Sequence, residues 1–211
     1  MVRKFFALTA AVLLAASATA AGAATVVTLS NVTVANQFLD LDLGINFTVN
    51  SNITVSSLGA FTNGSSPIAV TLYQLSSTST GTALSSALIT GTPVSGSNYS
   101  FSAIAPVTLT PGLYQINARY TDTGNGNYNP NSGNTATVLF NTLAGKLSFS
   151  GSYYNYPGSG TVASTIDGVS QLSYGAGTFG VVPEPATWGL LVVGFGLVGV
   201  SARRRNGAVA A

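Results

Sequence analysis

The sequence predicts an all-β protein: an antiparallel β-sandwich or jelly-roll ectodomain, with an N-terminal signal peptide and one C-terminal transmembrane helix. Three observations predict the ectodomain. Between residues 24 and 180, short runs rich in β-branched and aromatic residues alternate apolar and polar positions with a period of two. Clusters of Gly, Pro, Asn and Ser separate these runs, as is typical of antiparallel sheets. No stretch of this region has the 3.6-residue apolar period of an amphipathic helix.

The first element is a secretory signal peptide over residues 1–23. Arg3 and Lys4 form its charged start, and an apolar stretch and small residues follow. Two cleavage sites of the A-x-A kind fit, ending at Ala20 and at Ala23. We favour cleavage by signal peptidase after Ala23, because strand-like sequence begins at the next residue. The alternative, a buried N-terminal helix, lacks a polar second face.

The second element is the ectodomain over residues 24–180. One face of each strand is expected to face the core and the other to face water. Residues 76–82 predict a hairpin loop, and residues 124–134 predict the longest loop. The clearest strands are Ile45–Val49, Ile53–Phe61, Ile68–Tyr73 and Leu113–Tyr120.

Composition restricts what the ectodomain can do. The chain contains no Cys and no His, and 6% of its residues are charged, against about 25% in typical globular proteins. The absence of His excludes Ser-His-Asp and Cys-His catalysis and the usual zinc sites. Five of the seven Lys and Arg residues lie in the terminal segments, so the middle is slightly acidic and no nucleic-acid partner is expected. We therefore expect neither enzymatic activity nor a cofactor.

Carboxylates are the remaining candidates for chemistry in the ectodomain. Asp40 and Asp42 alternate with leucines, so in a strand both side chains project from one face. The pattern favours a solvated strand edge that discourages pairing between sheets. The first alternative is a calcium site at these two residues, which are weak candidates for metal ligands. The second is a glycan hydrolase using two of Asp40, Asp42, Asp122 and Asp167, which requires two carboxylates to converge in one cleft.

Tyrosines provide a candidate glycan-binding surface. Aromatic faces pack on the apolar faces of sugars, so Tyr128, Tyr153, Tyr154 and Tyr156 could form a stacking platform. This interpretation requires the rings of Tyr153 to Tyr156 to be exposed side by side. The alternative is that these tyrosines fill sheet edges without any ligand.

The third element is a sorting and anchoring segment over residues 181–206. Its apolar run from Ala186 to Ala202 has 17 residues, the lower limit of the roughly 17–25 needed to span a membrane as a helix. We place the span at about residues 187–202. Trp188 suits the outer interface, and the basic cluster should stay cytoplasmic. This cluster consists of Arg203, Arg204 and Arg205.

The residues Pro183, Glu184 and Pro185, followed by Trp188, a Gly-rich apolar run and the Arg cluster, resemble the PEP-CTERM sorting signal of Gram-negative bacteria. The resemblance implies that an exosortase, a membrane-embedded Cys-dependent transpeptidase-like enzyme, recognises the Pro-Glu-Pro tripeptide. It also implies a transient inner-membrane intermediate, followed by transfer to the cell surface or to an exopolysaccharide matrix. The alternative is an ordinary single-span tail anchor.

The middle of the chain, over residues 38–125, is similar to an uncharacterised β-sandwich module of bacterial surface proteins. That resemblance implies no catalytic residues. Together with the two ends, it predicts a non-enzymatic, exosortase-sorted protein with a structural or adhesive role, in which exopolysaccharide is a potential partner. The alternatives are a carbohydrate-binding module and the glycan hydrolase described above.

Overall fold

The structure, a computed structural model, describes residues 23–30, 37–62, 66–94, 98–121, 126–127, 137–167, 174–182, 192 and 194–196. Within these residues the chain forms β-strands joined by turns. The strands are β1 (Ala24–Thr25), β2 (Val27–Ser30), β3 (Leu41–Val49), β4 (Ile53–Phe61), β5 (Ile68–Ser77), β6 (Thr80–Ile89), β7 (Tyr99–Leu109), β8 (Gly112–Tyr120), β9 (Thr137–Phe140), β10 (Leu147–Asn155), β11 (Thr165–Ile166) and β12 (Gly177–Val181).

The strands form three antiparallel sheets. The six-stranded sheet has the order β11-β10-β3-β8-β5-β6, and the four-stranded sheet has the order β1-β12-β4-β7. A small third sheet pairs β2 with β9. The prediction of an all-β fold with antiparallel sheets is therefore confirmed. The narrower resemblance of residues 38–125 to a surface module stays a prediction.

Each of the four strands read most clearly from the sequence lies inside an observed strand. The predicted hairpin at residues 76–82 is present, but its turn is shorter than expected. Only Thr78 and Ser79 separate β5 from β6, and the hydroxyls of Ser77 and Thr80 are hydrogen-bonded at 2.6 Å across it. Most of the predicted loop at 124–134 lies outside the described residues, although Asn127 bridges to Gln37.

The two larger sheets share one hydrophobic core. The Phe47 ring on β3 lies 5.1 Å from the Phe179 ring on β12 and stacks at 5.8 Å on Tyr114 of β8, measured between ring centroids. Tyr120 links the sheets by a polar contact as well, because its hydroxyl donates to Phe61 O at 2.6 Å. Every second residue of β3 is at most 5% exposed, as period-two alternation predicts for one face: Leu41, Leu43, Ile45, Phe47 and Val49.

The opposite face of the six-stranded sheet is covered, contrary to the expectation that it faces water. Residues 156–164, which connect β10 to β11 and are called the strap below, lie over β3, β8 and β5. Val162 of the strap packs with Tyr73 and Leu75 in a small second apolar cluster. The part of the outer face beneath the strap is therefore a second buried layer rather than a solvated surface.

The first and last strands of the fold lie side by side. Ala24 pairs with Val181 and Thr25 with Gly180 in an antiparallel register, so both chain ends leave the sheet at the same end. The N–H of Val182 donates to Thr54 O at 2.9 Å, which extends the sheet beyond the predicted ectodomain boundary at residue 180.

Most residues of the two predicted membrane-directed segments lie outside the described ranges. In the predicted span, residues 192 and 194–196 are described and are helical. Among the residues that the structure describes, no helix is both long enough and apolar enough to cross a membrane. The signal peptide over residues 1–23, of which only Ala23 is described, stays a prediction.

Candidate functional site

The Asp42 side chain is 0% exposed. It does not lie at a solvated strand edge, because β3 is an inner strand paired with β10 on one side and β8 on the other. The edge interpretation is therefore wrong for Asp42, whereas Asp40, just before β3, has a side chain that is 35% exposed. Alternation in sequence correctly places the carboxylate opposite the core, but it cannot show that a later segment of the chain covers that face.

The strap surrounds the Asp42 carboxylate with hydrogen-bond donors. The backbone N–H of Ser159 donates to Oδ2 at 2.6 Å, and that of Gly160 donates at 2.9 Å. The Ser159 hydroxyl and the Asn155 amide add longer bonds of 3.2 and 3.3 Å. Charge-assisted bonds of this kind compensate a buried carboxylate for the water it has lost. Asp42 therefore holds the strap against the sheet.

Arg119 of β8 lies between the two carboxylates. Its Nη1 atom is 2.5 Å from Asp40 Oδ1, and its Nε atom is 3.8 Å from Asp42 Oδ1. Gly158 of the strap packs directly against this guanidinium, where a Cβ atom would overlap Arg119 Nη1. The two carboxylates thus converge, as a hydrolase requires, but they converge on a guanidinium that pairs closely with Asp40 and lies beside Asp42.

A row of amide side chains continues this network along the sheet. Gln115 Nε2 donates to Asn46 Oδ1 at 2.7 Å and to Ala163 O at 2.9 Å, while Gln115 Oε1 accepts from the N–H of Ala163 at 2.8 Å. Asn117 Nδ2 donates to Thr161 O at 2.5 Å. These amides hydrogen-bond to the second half of the strap, just as Asp42 accepts hydrogen bonds from the first half.

A pocket of about 60 Å³ remains between the strap and the sheet. Asn117 is 3% exposed, and its Oδ1 atom has no hydrogen-bond partner within the described part of the chain. The pocket is large enough for water. It offers no free carboxylate, because Asp42 is occupied by the strap and by Arg119. Its lining residues are Asp42, Ala69, Thr71, Tyr73, Asn117, Arg119 and Gly160.

The structure describes one of the other two predicted carboxylates, Asp167, which lies beside Tyr174. Asp122 lies outside the described residues. Asp167 follows β11, where its N–H donates to Ser152 O at 3.0 Å. Burial raises the pKa of Tyr174 above its usual value, and the nearby Asp167 raises it further. Within the described ranges, no group of three or more His, Cys, Asp or Glu side chains could hold a metal ion.

The described tyrosines do not form an exposed platform. Tyr153 is 8% exposed and Tyr156 is 65% exposed. Tyr154 is partly buried and packs against the main core. Adjacent residues of a strand point to opposite faces, so Tyr153 and Tyr154 cannot present their rings side by side. Tyr128 lies outside the described residues.

A second notable region is the end of the fold where both chain ends leave the sheet. The turn from β9 to β10 lies there, because Asn141 donates from its backbone N–H to Val26 O and from its side chain to Thr25 O. Leu143 and Ala144 in this turn have φ angles of 51° and 56°. A left-handed conformation costs a residue with a Cβ atom roughly 1–2 kcal/mol. The sequence gives little warning of this turn, since Gly145 is its only residue suited to positive φ.

The comparisons with known proteins identify only the C-terminal segment. Residues 181–205 match the PEP-CTERM protein-sorting motif. No curated protein and no solved structure matches the chain. The matched range includes the residues expected to be recognised, Pro183, Glu184 and Pro185, and those expected at the membrane, Trp188, Arg203, Arg204 and Arg205, all of which lie outside the described ranges.

The motif has two consequences for the whole chain. It implies processing by an exosortase-type enzyme, and it implies export to the cell surface or beyond. Its first residue, Val181, is also the last residue of β12. The chain therefore carries a PEP-CTERM sorting motif that begins within its folded domain.

Proposed function

We propose that this protein is a non-enzymatic structural component of the cell surface or extracellular matrix, delivered there by an exosortase-type system. The observation that carries the proposal is the sorting motif at residues 181–205, which directly continues the last strand of a compact all-β domain. An adhesive contribution and contact with exopolysaccharide belong to the same proposal.

The state of the carboxylates supports a structural role. General acid–base hydrolysis needs one carboxyl group that can give up a proton and a second that is free to act on water or substrate. Asp42 is buried under the strap, and Asp40 is paired with Arg119. Both groups therefore pair with other parts of the fold, which supports a structural role for them.

The rigidity of the domain is also consistent with this role. The strap adds a second buried layer to the six-stranded sheet without using disulfides, since the chain has no Cys. Hydroxyl and amide side chains supply most of the polar surface, and these groups can form hydrogen bonds with hydrated polysaccharide. Such a surface does not depend on a single binding pocket.

The test is to replace Pro183, Glu184 and Pro185 together by alanine in producing cells. We expect unprocessed precursor to accumulate in the inner membrane, because recognition is lost while the apolar run and the basic cluster remain. A matched control replaces Leu190, Leu191 and Val192 by serine, which should weaken membrane retention and release the protein. Intact-mass analysis of the membrane, surface and medium fractions distinguishes the two outcomes.

Normal processing and normal location of the alanine variant would contradict the proposal, because the tripeptide would then act as a simple linker. Recovery of a surface form that still contains residues 203–205 would also contradict it, since an exosortase-type cleavage removes them. Loss of the parent protein from the matrix fraction after deletion of the processing enzyme is the positive result.

A further inference from the structure

We propose that the folded domain docks on the exosortase-type enzyme through the end of the fold from which the sorting motif emerges. This inference rests on the proposed function. We call this surface the exit end, and we define it by the β3–β4 turn (residues 50–52), the β7–β8 turn (residues 110–111), the β9–β10 turn (residues 141–146), Ala24 and Val182.

The first argument is the short length of chain between the last sheet residue and the Pro-Glu-Pro tripeptide. Val181 is paired with Val55 and Ala24, and the Val182 N–H is bonded to Thr54 O, so the first two residues of the matched motif are held in the sheet. Glu184 follows Val182 by two residues. Two residues of extended chain span at most about 7 Å. An enzyme that binds the Glu184 carboxylate therefore also contacts the exit end, unless the last strand is first pulled out of the sheet.

The second argument is that two turns of the exit end, β3–β4 and β9–β10, are tied together into one surface. Asn50 connects two of them, because its N–H donates to Lys146 O at 2.8 Å and its side chain donates to Gly145 O at 2.8 Å. Asn141 connects the same β9–β10 turn to the first strand through Val26 O at 2.9 Å. Enzyme and substrate would therefore meet on a surface already fixed in shape, which reduces the entropy lost on binding.

The third argument is the strained conformation of the β9–β10 turn. Leu143 and Ala144 are left-handed, although neither is Gly, Asn or Asp. The turn is held by bonds from the Leu143 N–H to Asn141 Oδ1 at 2.9 Å and from the Gly145 N–H to Thr142 O at 3.1 Å. Leu143 packs against the core, whereas Ala144 is exposed. Backbone strain of this kind concentrates at functional surfaces, and here it presents Ala144 beside the exit of the sorting motif.

Charge indicates the kind of contact. Among the described residues of the exit end, Lys146 is the one charged residue. The partner surface is therefore expected to bind hydroxyl, amide and backbone groups rather than to form ion pairs. A negative charge placed on this surface would be desolvated on docking and should weaken the complex.

The experiment measures processing of the full-length chain by pulse-chase in producing cells. The test variant is Ala144→Asp combined with Asn52→Asp, since Asp tolerates the left-handed conformation that residue 144 requires. The matched control is Thr92→Asp in the exposed connection between β6 and β7, at the opposite end of the fold. We expect processing of the test variant to slow by about tenfold, corresponding to roughly 1.4 kcal/mol of lost binding, and that of the control to match the parent.

A second pair of variants separates docking from a folding defect. Ala144→Asn keeps the same shape without the charge and should be processed like the parent. With a flexible Gly-Ser insertion between Val182 and Pro183, chains with Asp or Ala at position 144 should be processed at the same rate. The motif can then reach the enzyme without docking of the domain.

Equal processing of the Asp variant and the parent would overturn the proposal, as would a defect that persists unchanged with the insertion. Failure of the proposed function looks different, because the Pro183, Glu184 and Pro185 alanine variant would then behave like the parent, whether both are processed or both remain unprocessed.

Discussion

Asp42 and Ser159 lie far apart in the sequence, yet the backbone N–H of Ser159 donates to Asp42 Oδ2 at 2.6 Å. This bond joins an inner strand of the six-stranded sheet to the strap that covers it. Because the carboxylate is fully buried, its energy depends on these donors rather than on water. The pair therefore connects the stability of the sheet to the position of the strap.

Replacing Asp42 by alanine should destabilise the protein by about 3–5 kcal/mol, because the strap N–H groups lose their acceptor while remaining buried. Asp42→Asn keeps one acceptor oxygen and should cost about 1–3 kcal/mol. Urea unfolding followed by tyrosine fluorescence measures both. The control is Asp40→Asn, whose partly exposed ion pair should contribute about 1 kcal/mol or less. A smaller effect at Asp42 than at Asp40 would contradict the anchoring role.

Gly158→Ala should displace the strap. A Cβ atom there would overlap the Arg119 guanidinium and would lie 2.8 Å from the carbonyl carbon of Leu41. We expect a loss of about 1–3 kcal/mol in the free energy of unfolding, as is usual for overpacking. Gly112→Ala is the matched control, because the nearest atom to its added Cβ lies at an ordinary 3.5 Å. Equal stability of the two variants would show that the strap moves away from the added Cβ atom without any loss of stability.

Alkaline pH should destabilise the fold. Burial raises the pKa of Tyr99 and Tyr120 above the usual value. Above a pH of about 10 the unfolded chain loses these phenolic protons first. The stability that the neutral rings contribute is therefore fully present below that pH and falls above it, by about 1.4 kcal/mol per pH unit for each such group. Thermal unfolding between neutral and alkaline pH measures this slope.

Tyr120→Phe is the control for the alkaline transition. It should lower stability at neutral pH, because Phe61 O and Ala176 O each lose the Tyr120 hydroxyl as a hydrogen-bond donor, although Ala176 O keeps the N–H of Phe61. Its stability should then decline less steeply with rising pH than that of the parent. An identical alkaline slope in both proteins would mean that other groups control the transition.

Removing divalent metal should leave the thermal midpoint unchanged. Asp40 and Asp42 are the weak calcium candidates, and Arg119 already supplies the positive charge between them. Differential scanning fluorimetry with and without EDTA checks this expectation. Because a ligand bound only by the native state raises stability by mass action, a clear drop in the midpoint on chelation would show that the protein holds a metal ion.

Period-two alternation was sufficient to locate four inner strands of this fold, β3, β4, β5 and β8, but not the inner strands β10 and β12. The run at Ile53–Phe61 is reproduced with the same bounds by β4, because its apolar residues face a core that both sheets share. The prediction missed the first four residues of β3, although the alternation runs unbroken from Leu41 to Val49, because Gly44 is a residue type disfavoured in strand interiors. Gly44 is required there because an added Cβ would collide with the Gln115 side chain.

The strap could not be predicted from the sequence. Its residues have the Gly, Ser and Pro composition of an ordinary surface loop, and the polar residues that hold it alternate on β3 and β8 as a solvated face would. Local composition reports neither burial nor long-range hydrogen bonds. The same limit applies to Tyr153, a candidate for the glycan-binding surface, because the sequence does not show that its ring is only 8% exposed.

The position of β12 also determines when the fold can be completed. An exported chain crosses the membrane from its N-terminus, so β1 emerges first, yet its partner β12 is the last strand before the sorting motif. β12 lies between β1 and β4, so the four-stranded sheet remains divided until residues 177–181 have crossed. Pairing between such distant segments is slow. The strand that completes the four-stranded sheet is therefore also the strand that leads directly into the sorting motif.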